Sequence, residues 1–146
     1  MTHHPRALRS TAGFTLVELM IVVFIITLLA AIAYPTYMDQ VVRVRRDATK
    51  TCLSESAQFM ERFYTTNLRF DQTLLGVPVA LPPCNSGTDV TNFYTISLTA
   101  VGQRNYTLQA APKPAQASRD TACGTLGIDN TGTKTKTGTD TVDYCW

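Results

Sequence analysis

The sequence has almost no histidine and few charged residues, which excludes several classes of site. Both histidines, His3 and His4, lie at the extreme N-terminus, and only 16% of the 146 residues are charged. None of the four cysteines forms a CxxC pair, so the usual zinc and thioredoxin patterns are missing. The sequence also lacks a GxSxG elbow, a phosphate-binding loop and a paired-carboxylate motif. We therefore expect neither an enzyme nor a protein that needs a cofactor.

Oxygen ligands for calcium are present, but their pattern does not predict a metal site. The candidates are Asp129, Asn130, Asp140 and Asp143. Their spacing misses the EF-hand pattern, and Asp129 to Gly132 reads Asp-Asn-Thr-Gly, a normal hairpin turn. The formal net charge of +2 is likewise too small to predict nucleic acid as a partner by itself.

An almost unbroken apolar run extends from Phe14 to Tyr34. As a helix it spans roughly 31 Å, close to the thickness of about 30 Å of a membrane's hydrocarbon core. The alternative is a cleaved signal peptide, with Arg6 and Arg9 as its basic region and Ala31–Ala33 as its cleavage site. However, the run exceeds a typical signal core, and it contains Glu18, a charge that costs about 2.5–3.5 kcal/mol at mid-membrane. Both features favour a retained membrane helix.

Positive charges flank both ends of this run and leave its orientation open. Arg6 and Arg9 precede it, and the basic cluster Arg43–Lys50 follows it, so a positive-inside count would put the C-terminal domain in the cytoplasm. Four cysteines in a small domain argue instead for an oxidising compartment such as a bacterial periplasm. The residues around Gly13 decide for the periplasm.

The stretch Gly13-Phe14-Thr15-Leu16-Val17-Glu18, with the apolar run and Pro35 behind it, resembles the type III leader of type IV prepilins. Its pattern is a short basic leader, Gly, Phe, three small or apolar residues, Glu and a long apolar helix. The resemblance implies an α+β type IV pilin fold, in which a long, kinked N-terminal α-helix packs on a small antiparallel β-sheet.

The same resemblance implies how the N-terminus is processed. A prepilin peptidase would cut between Gly13 and Phe14 and methylate the new amine of Phe14. Glu18 then becomes the fifth mature residue, and its carboxylate can pair with the α-amine of a neighbouring Phe14 in an apolar filament core. The alternative for Glu18 is a carboxylate that snorkels to the membrane surface.

We predict four segments: a leader (1–13), a transmembrane and polymerisation helix (14–35), the amphipathic half of that helix (36–66) and a globular head (67–146). Pro35 is expected to kink the helix. The basic cluster Arg43–Lys50 is expected to be solvated or to pair with a neighbouring subunit, and DNA or acidic lipid is a lesser alternative. Two apolar stripes predict the buried face: Val41, Val44, Ala48 and Cys52, and beside them Leu53, Ala57, Met60 and Tyr64.

Short strands are predicted in the head, after a connection broken by proline and glycine. Three β-rich segments are Phe93–Leu98, Tyr106–Ala110 and Leu126–Ile128, and a weak fourth is Thr133–Thr137. The helix is expected to end near Tyr64–Asn67. The combination is a helix packed against a small antiparallel sheet.

The four cysteines, Cys52, Cys84, Cys123 and Cys145, permit three disulfide pairings. We favour Cys123–Cys145, because it would close a tail rich in threonine and glycine that has little core of its own. Cys52–Cys84 is then the remaining pair. Each bond could add about 2–4 kcal/mol of stability. Free, buried thiols are the alternative.

The tail, from Cys123-Gly124-Thr125-Leu126 to Cys145-Trp146, is similar to that of the minor pilins called PilE in type IVa systems. This implies a pilus subunit that helps initiate or decorate the filament and supports twitching motility, adhesion and surface sensing. The implied partners are other major and minor pilins, the prepilin peptidase, the inner-membrane assembly machinery and, before assembly, membrane lipid. The implied location is the inner membrane, with the head in the periplasm, and then the extracellular pilus.

Three other interpretations remain open within the same resemblance. The chain could be a major pilin, whose polymerisation helix is the same, or a type II secretion pseudopilin. It could also be a DNA-uptake pilin with a basic surface formed by Lys113, Arg119, Lys134 and Lys136. These four residues are scattered in the sequence, which makes nucleic acid the least expected partner.

Overall fold

The computed structural model describes residues 13–84 and 90–146 and divides the chain into two compact units, one ending at Tyr37 and the other running from Met38 to Trp146. Helix α1, Leu16–Asn67, belongs to both units and continues through Pro35. The predicted leader lies outside the described residues, apart from Gly13. The kink at Pro35 and the four segment boundaries stay predictions.

The second unit contains one four-stranded antiparallel sheet in the order β1-β2-β3-β4. The strands are β1, Tyr94–Val101; β2, Tyr106–Pro112; β3, Leu126–Asp129; and β4, Lys134–Lys136. Three short helices flank them: α2, Val90–Phe93; α3, Pro114–Ala117; and α4, Val142–Cys145. The sheet topology is a meander, because each strand pairs with the next one in the chain.

The core lies between the part of α1 beyond Met38 and one face of this sheet. Leu53 and Met60 of α1 are fully buried, as are Leu108, Ala110 and Leu126 of the sheet, and all five belong to one apolar cluster. Alternation along β2 points Tyr106, Leu108 and Ala110 inward. The α+β class and the helix packed on an antiparallel sheet are therefore confirmed.

The buried face of α1 differs from the predicted stripes at its beginning. Val44 was expected inside but is 52% exposed, whereas Val42 is 6% exposed. The buried positions run Val42, Arg46, Thr49, Leu53, Ser56 and Met60, with Cys52 beside them. Steps of three and four residues are kept, but the stripe includes polar side chains. Arg46 and Thr49 can be buried because they have hydrogen-bond partners: Arg46 donates to Asp120, and the Thr49 hydroxyl donates to the Arg45 carbonyl.

Two further elements differ from the prediction. Phe93 was expected to begin the first strand but ends helix α2 instead, and its carbonyl accepts a hydrogen bond from the Lys113 N–H. Phe70 lies in the segment expected to be a simple connection, yet it is buried, stacks on Tyr64 and meets Tyr106 edge to face. The connection thus supplies part of the core, which a segment rich in proline and glycine does not suggest.

Candidate functional site

The first unit presents an apolar surface with one carboxylate at its N-terminal end. Phe14 is 76% exposed, and the other large apolar side chains from Leu16 to Tyr34 are 44–74% exposed. Helix α1 is long and apolar enough to cross a membrane, and it is the one such helix among the described residues. A surface this apolar requires lipid or other protein around it.

Glu18 lies in the first turn of α1. Thr15, just before the helix, accepts a hydrogen bond on its side-chain oxygen from the Glu18 N–H at 3.2 Å. Thr15 and Glu18 have the Ser/Thr-x-x-Glu spacing of a capping box, of which the structure shows this one bond. Helix initiation therefore explains part of the Thr15–Glu18 spacing. The Glu18 carboxylate has no partner among the described residues of this single chain.

The structure brings the four cysteines together in two pairs within the second unit. Cys52 is joined to Cys84 with a Cα–Cα distance of 5.6 Å, and Cys123 is joined to Cys145 at 5.5 Å. The first bond connects α1 to the segment before the sheet, and the second closes the C-terminal loop. Cys52, Cys123 and Cys145 are fully buried.

The C-terminal loop closed by Cys123–Cys145 also has a dense set of hydrogen bonds. Gly138 N–H donates to the Cys123 carbonyl at 3.0 Å, and the Trp146 indole donates to the Thr135 carbonyl at 3.0 Å. A Cβ on Gly138 would lie 2.2 Å from the Ala122 carbonyl oxygen, so only glycine allows the two backbone segments to approach this closely. Hydrogen bonds and close backbone packing therefore hold the loop in place in addition to the disulfide.

A buried polar network connects α1 to β1 and to the segment just before the C-terminal loop, and sequence analysis missed it. The Arg46 guanidinium donates to the Asp120 carboxylate at 2.9 Å, and the two side chains are 6% and 3% exposed. Tyr94 donates its hydroxyl to the other carboxylate oxygen at 2.9 Å, and the Gln116 amide donates to the Tyr94 hydroxyl and to the Val42 carbonyl, each at 3.2 Å. Burial, together with the negative charge and hydrogen bond of Asp120, raises the pKa of Tyr94.

This network corrects the expectation that the whole basic cluster is solvated. Arg46 is buried, whereas Arg43 is exposed and Arg45 stacks on the Phe93 ring at 3.6 Å. An arginine in an amphipathic helix is usually at the surface, and its partner Asp120 lies 74 residues further along the chain. No local pattern identifies such a pair.

Asp129, one of the residues considered as calcium ligands, holds the turn that follows it. The Asp129 carboxylate accepts hydrogen bonds from the Thr131 hydroxyl and N–H and from the Thr133 N–H, at 2.6, 2.8 and 3.0 Å. These bonds, led by the Thr131 hydroxyl, lower the pKa of Asp129. Among residues 13–84 and 90–146, no group of three or more histidine, cysteine or acidic side chains is arranged to hold a metal ion.

Of the four cations considered for DNA, Lys134 and Lys136 share strand β4, whereas Lys113 and Arg119 lie on either side of α3. Lys113, between β2 and α3, donates to the Thr91 carbonyl, and Lys136 of β4 donates to the Gly138 carbonyl at 2.6 Å. Lys134 of β4 lies 5.2 Å from the centre of the Trp146 ring, and Arg119 is exposed after α3. Three of the four cations thus have a contact within the chain.

A wide groove lies near the C-terminal end of α1. It has a volume of about 560 Å³ and lies between the last turns of α1 and the β3–β4 turn, with Glu61, Tyr106 and Asn130 among its lining residues. Tyr106 donates its hydroxyl to the Glu61 carboxylate at 3.1 Å. Burial raises the pKa of Tyr106, and Glu61 raises it further. The groove is open and contains no arrangement of catalytic groups.

Two family models match adjoining parts of the chain. Residues 8–34 match the prokaryotic N-terminal methylation motif, and residues 35–127 match the model described as "Type IV minor pilin ComP, DNA uptake sequence receptor". The second match covers more than half of the 146 residues. The chain belongs to this family of type IV minor pilins.

Curated relatives of this pilin are fimbrial subunits that match over part of their length. A fimbrial protein of Moraxella nonliquefaciens is 47% identical over 53 residues, which cover 32% of this chain and 34% of the relative. Type IV major pilin protein PilE1 of Neisseria gonorrhoeae is 32% identical over 71 residues, covering 49% and 43%. The matches thus span less than half the length of these relatives.

A solved structure supports the fold of the pilin. The Neisseria meningitidis non-core minor pilin PilV covers 70% of this chain and 93% of its own, with a TM-score of 0.50 and 24% identity. At that identity the likeness concerns the fold alone. Together, the comparisons confirm the predicted recognition of a type IV pilin and its role as a structural subunit of a pilus.

Proposed function

We propose that the chain is a low-abundance minor pilin that helps initiate or join pilus assembly, and so supports twitching motility, adhesion and surface sensing. The observation that carries this proposal is the direct succession of a methylation motif (8–34) and a minor-pilin domain (35–127) in one chain. The apolar, exposed helix surface before Tyr34 provides the membrane anchor and, after assembly, the filament contact. A major pilin is the nearest alternative, because a curated relative has that name.

The proposal includes a route for the chain. A prepilin peptidase removes residues 1–13 at Gly13–Phe14 and methylates Phe14, the apolar segment 14–35 holds the protein in the inner membrane, and the head faces the periplasm. Segment 36–66 continues the helix into the head, 67–146, and Pro35 provides a kink between the two halves. The assembly machinery then transfers the subunit to a pilus, where other pilins replace the lipid around the helix. The disulfides agree with the periplasmic side, where such bonds persist.

Intact-mass and N-terminal peptide mass spectrometry tests this route. The protein is recovered from membranes and from sheared pili, and its amount is compared with that of the other pilins. We expect a chain that begins at N-methylated Phe14 and forms a small fraction of the pilus protein. A chain that begins at Tyr34, or that keeps residues 1–13 in pili, would refute the prepilin route, and a dominant share of pilus protein would assign a major pilin instead.

DNA reception is a second candidate function, and the description of the matching family favours it. Cations available to a DNA backbone on the described residues include Arg104 in the β1–β2 turn and Arg119 after α3, both exposed. Electrostatic contacts to phosphates would make binding fall steeply with salt. The test is retention of duplex DNA by the full chain in detergent over a salt series. Failure to retain DNA at the lowest salt would eliminate this function and leave the filament role intact.

A further inference from the structure

A small cleft lined by three arginines opens beside the first turns of the second unit. We call it the arginine cleft: it has a volume of about 160 Å³, and its charged walls are Arg43 and Arg46 of α1, Arg119 after α3, Asp39 and Asp120. Asp120 is occupied by Arg46 and by the Tyr94 hydroxyl. Within the described residues, neither Arg43 nor Arg119 has a carboxylate within 4 Å. The cleft therefore has more positive charge than its own carboxylates neutralise.

The inner wall of the arginine cleft is held in place by buried contacts. Arg46 is 5% exposed, and its Nε is buried without a hydrogen-bond partner. The Tyr144 ring forms the other side, with its centre 5.7 Å from the Arg43 guanidinium carbon and 5.3 Å from that of Arg46. Tyr144 belongs to α4, next to Cys145 of the disulfide. Folding thus builds this arrangement from residues more than 70 positions apart.

The position of the cleft along the chain suggests the source of its ligand. Two exposed tyrosines, Tyr34 and Tyr37, follow the apolar run at 66% and 67% exposure, as is typical where a helix leaves the hydrocarbon layer. Arg43 follows Tyr37 by six positions, so the chain cannot place the two more than about 21 Å apart. Phospholipid phosphates lie in the layer just outside the hydrocarbon.

We propose that the arginine cleft binds the phosphate of an anionic phospholipid head group while the chain is in the membrane. Guanidinium groups bind phosphate oxygens through paired N–H donors, and the cleft has room for a head-group phosphate but not for an acyl chain. Asp39 opposes this binding, but its single charge is outweighed by Arg43 and Arg119. The lipid fixes the head near the membrane surface, and extraction into a pilus requires its release. The proposal depends on the membrane anchor but not on the pilus.

Native mass spectrometry of the full chain, released from nanodiscs of equal parts phosphatidylcholine and phosphatidylglycerol, tests the proposal. We expect retained phosphatidylglycerol to exceed phosphatidylcholine by about fivefold or more, the preference that one arginine near an anionic surface provides. The double variant Arg43→Gln/Arg119→Gln should return the ratio to near one. Both residues are exposed, so circular dichroism is expected to show an unchanged fold.

The matched control is Arg62→Gln/Arg104→Gln, which removes the same charge from exposed positions outside the cleft. It should keep the preference for phosphatidylglycerol. Equal retention of the two lipids by the parent chain, or an equal loss in the control, overturns the proposal. So does a cleft variant that still retains phosphatidylglycerol but no longer enters sheared pili, because the cleft would then receive a neighbouring subunit. If the double variant misfolds, Arg119→Gln alone, at an exposed position, decides the question by the same ratio.

Discussion

At the scale of single residues, Arg46 and Asp120 form the most deeply buried ion pair among the described residues. Each is nearly inaccessible to water, so each charge is tolerated only because the other is 2.9 Å away. Tyr94 and Gln116 supply further hydrogen bonds, and every one of these links joins elements that are distant in sequence. Such a pair contributes more to the specificity of packing than to net stability.

Removing one partner of this pair should be strongly destabilising. For Asp120→Ala we expect the free energy of unfolding to fall by about 3–5 kcal/mol, because Arg46 would remain buried without a counter-charge. Urea unfolding of the full chain in detergent measures the loss. Asp71→Ala is the control, since Asp71 pairs with Arg69 at a partly exposed site and should change stability little. A loss equal to that of the control would show that Arg46 reaches water or another partner.

The two buried tyrosines predict a loss of stability at alkaline pH. Burial raises the pKa of Tyr94 and of Tyr106, with Asp120 and Glu61 adding to the effect. A group whose pKa is raised by folding contributes its full stability below its unfolded-state pKa, about 10 for tyrosine, and loses it as the pH rises toward the folded-state pKa. The unfolding free energy should therefore be constant up to about pH 10 and then decline.

Phenylalanine substitutions test this origin of the alkaline decline. Tyr94→Phe should reduce the slope above pH 10 and cost about 1 kcal/mol at neutral pH through the lost hydrogen bond to Asp120. Tyr106→Phe should also reduce the slope, because it removes the ionisable hydroxyl that contacts Glu61. Unfolding curves from pH 7 to 11 make the measurement. If the double variant declines as steeply as the parent chain, other groups cause the alkaline loss.

At the scale of elements, the C-terminal loop combines a three-residue strand with a four-residue helix, β4 and α4. Neither element is long enough to be stable alone. Their order comes from the Cys123–Cys145 bond, from Gly138 against Ala122 and from the Trp146 indole on β4. A covalent link should therefore contribute a large share of the loop's stability.

The variant Cys123→Ala/Cys145→Ala tests that share. The bond joins residues separated by 22 positions, for which loop-closure entropy predicts about 3 kcal/mol of lost stability. Unfolding of the variant measures the loss, and peptide mapping of the parent chain without reductant checks the pairing. Cys52–Cys84, separated by 32 positions, is the comparison and should cost a similar amount. A cross-linked peptide that contains Cys52 and Cys123 would contradict both pairs.

Elements with a local signal were predictable, and those that depend on distant partners were not. The apolar run, helix α1 and the β-rich segments of the sheet have clear periodicity or composition, so they were placed within a few residues. The prediction that Phe93 begins the first strand was wrong, because a strand-forming residue can end a short helix when its neighbours require it. At the site, Gly13, Phe14 and Glu18 stand in a linear motif, whereas the arginine cleft depends on Arg119 and Tyr144 meeting α1, which only the fold specifies.

At the scale of the whole molecule, the chain combines two units with opposite solvent requirements. The unit ending at Tyr37 is apolar on its surface, and the unit from Met38 onward has its own core and two disulfides. In the proposed function, a membrane surrounds the first unit before assembly and other pilins surround it in a pilus. In both environments Glu18 is the one charged side chain between Phe14 and Tyr34.

In the proposed function Glu18 distinguishes these two environments, because a membrane only tolerates its carboxylate whereas a filament would pair it with the α-amine of a neighbouring Phe14. Glu18→Ala should leave membrane insertion and leader removal intact but reduce the protein in sheared pili by at least about tenfold, since the buried amine would lack its partner. Quantitative mass spectrometry of membranes and pili measures both pools. Glu55→Ala, exposed on the same helix outside the apolar run, is the control and should enter pili at the parental level. Parental incorporation of Glu18→Ala would contradict this pairing, because the bond between the Glu18 N–H and the Thr15 side chain survives the substitution.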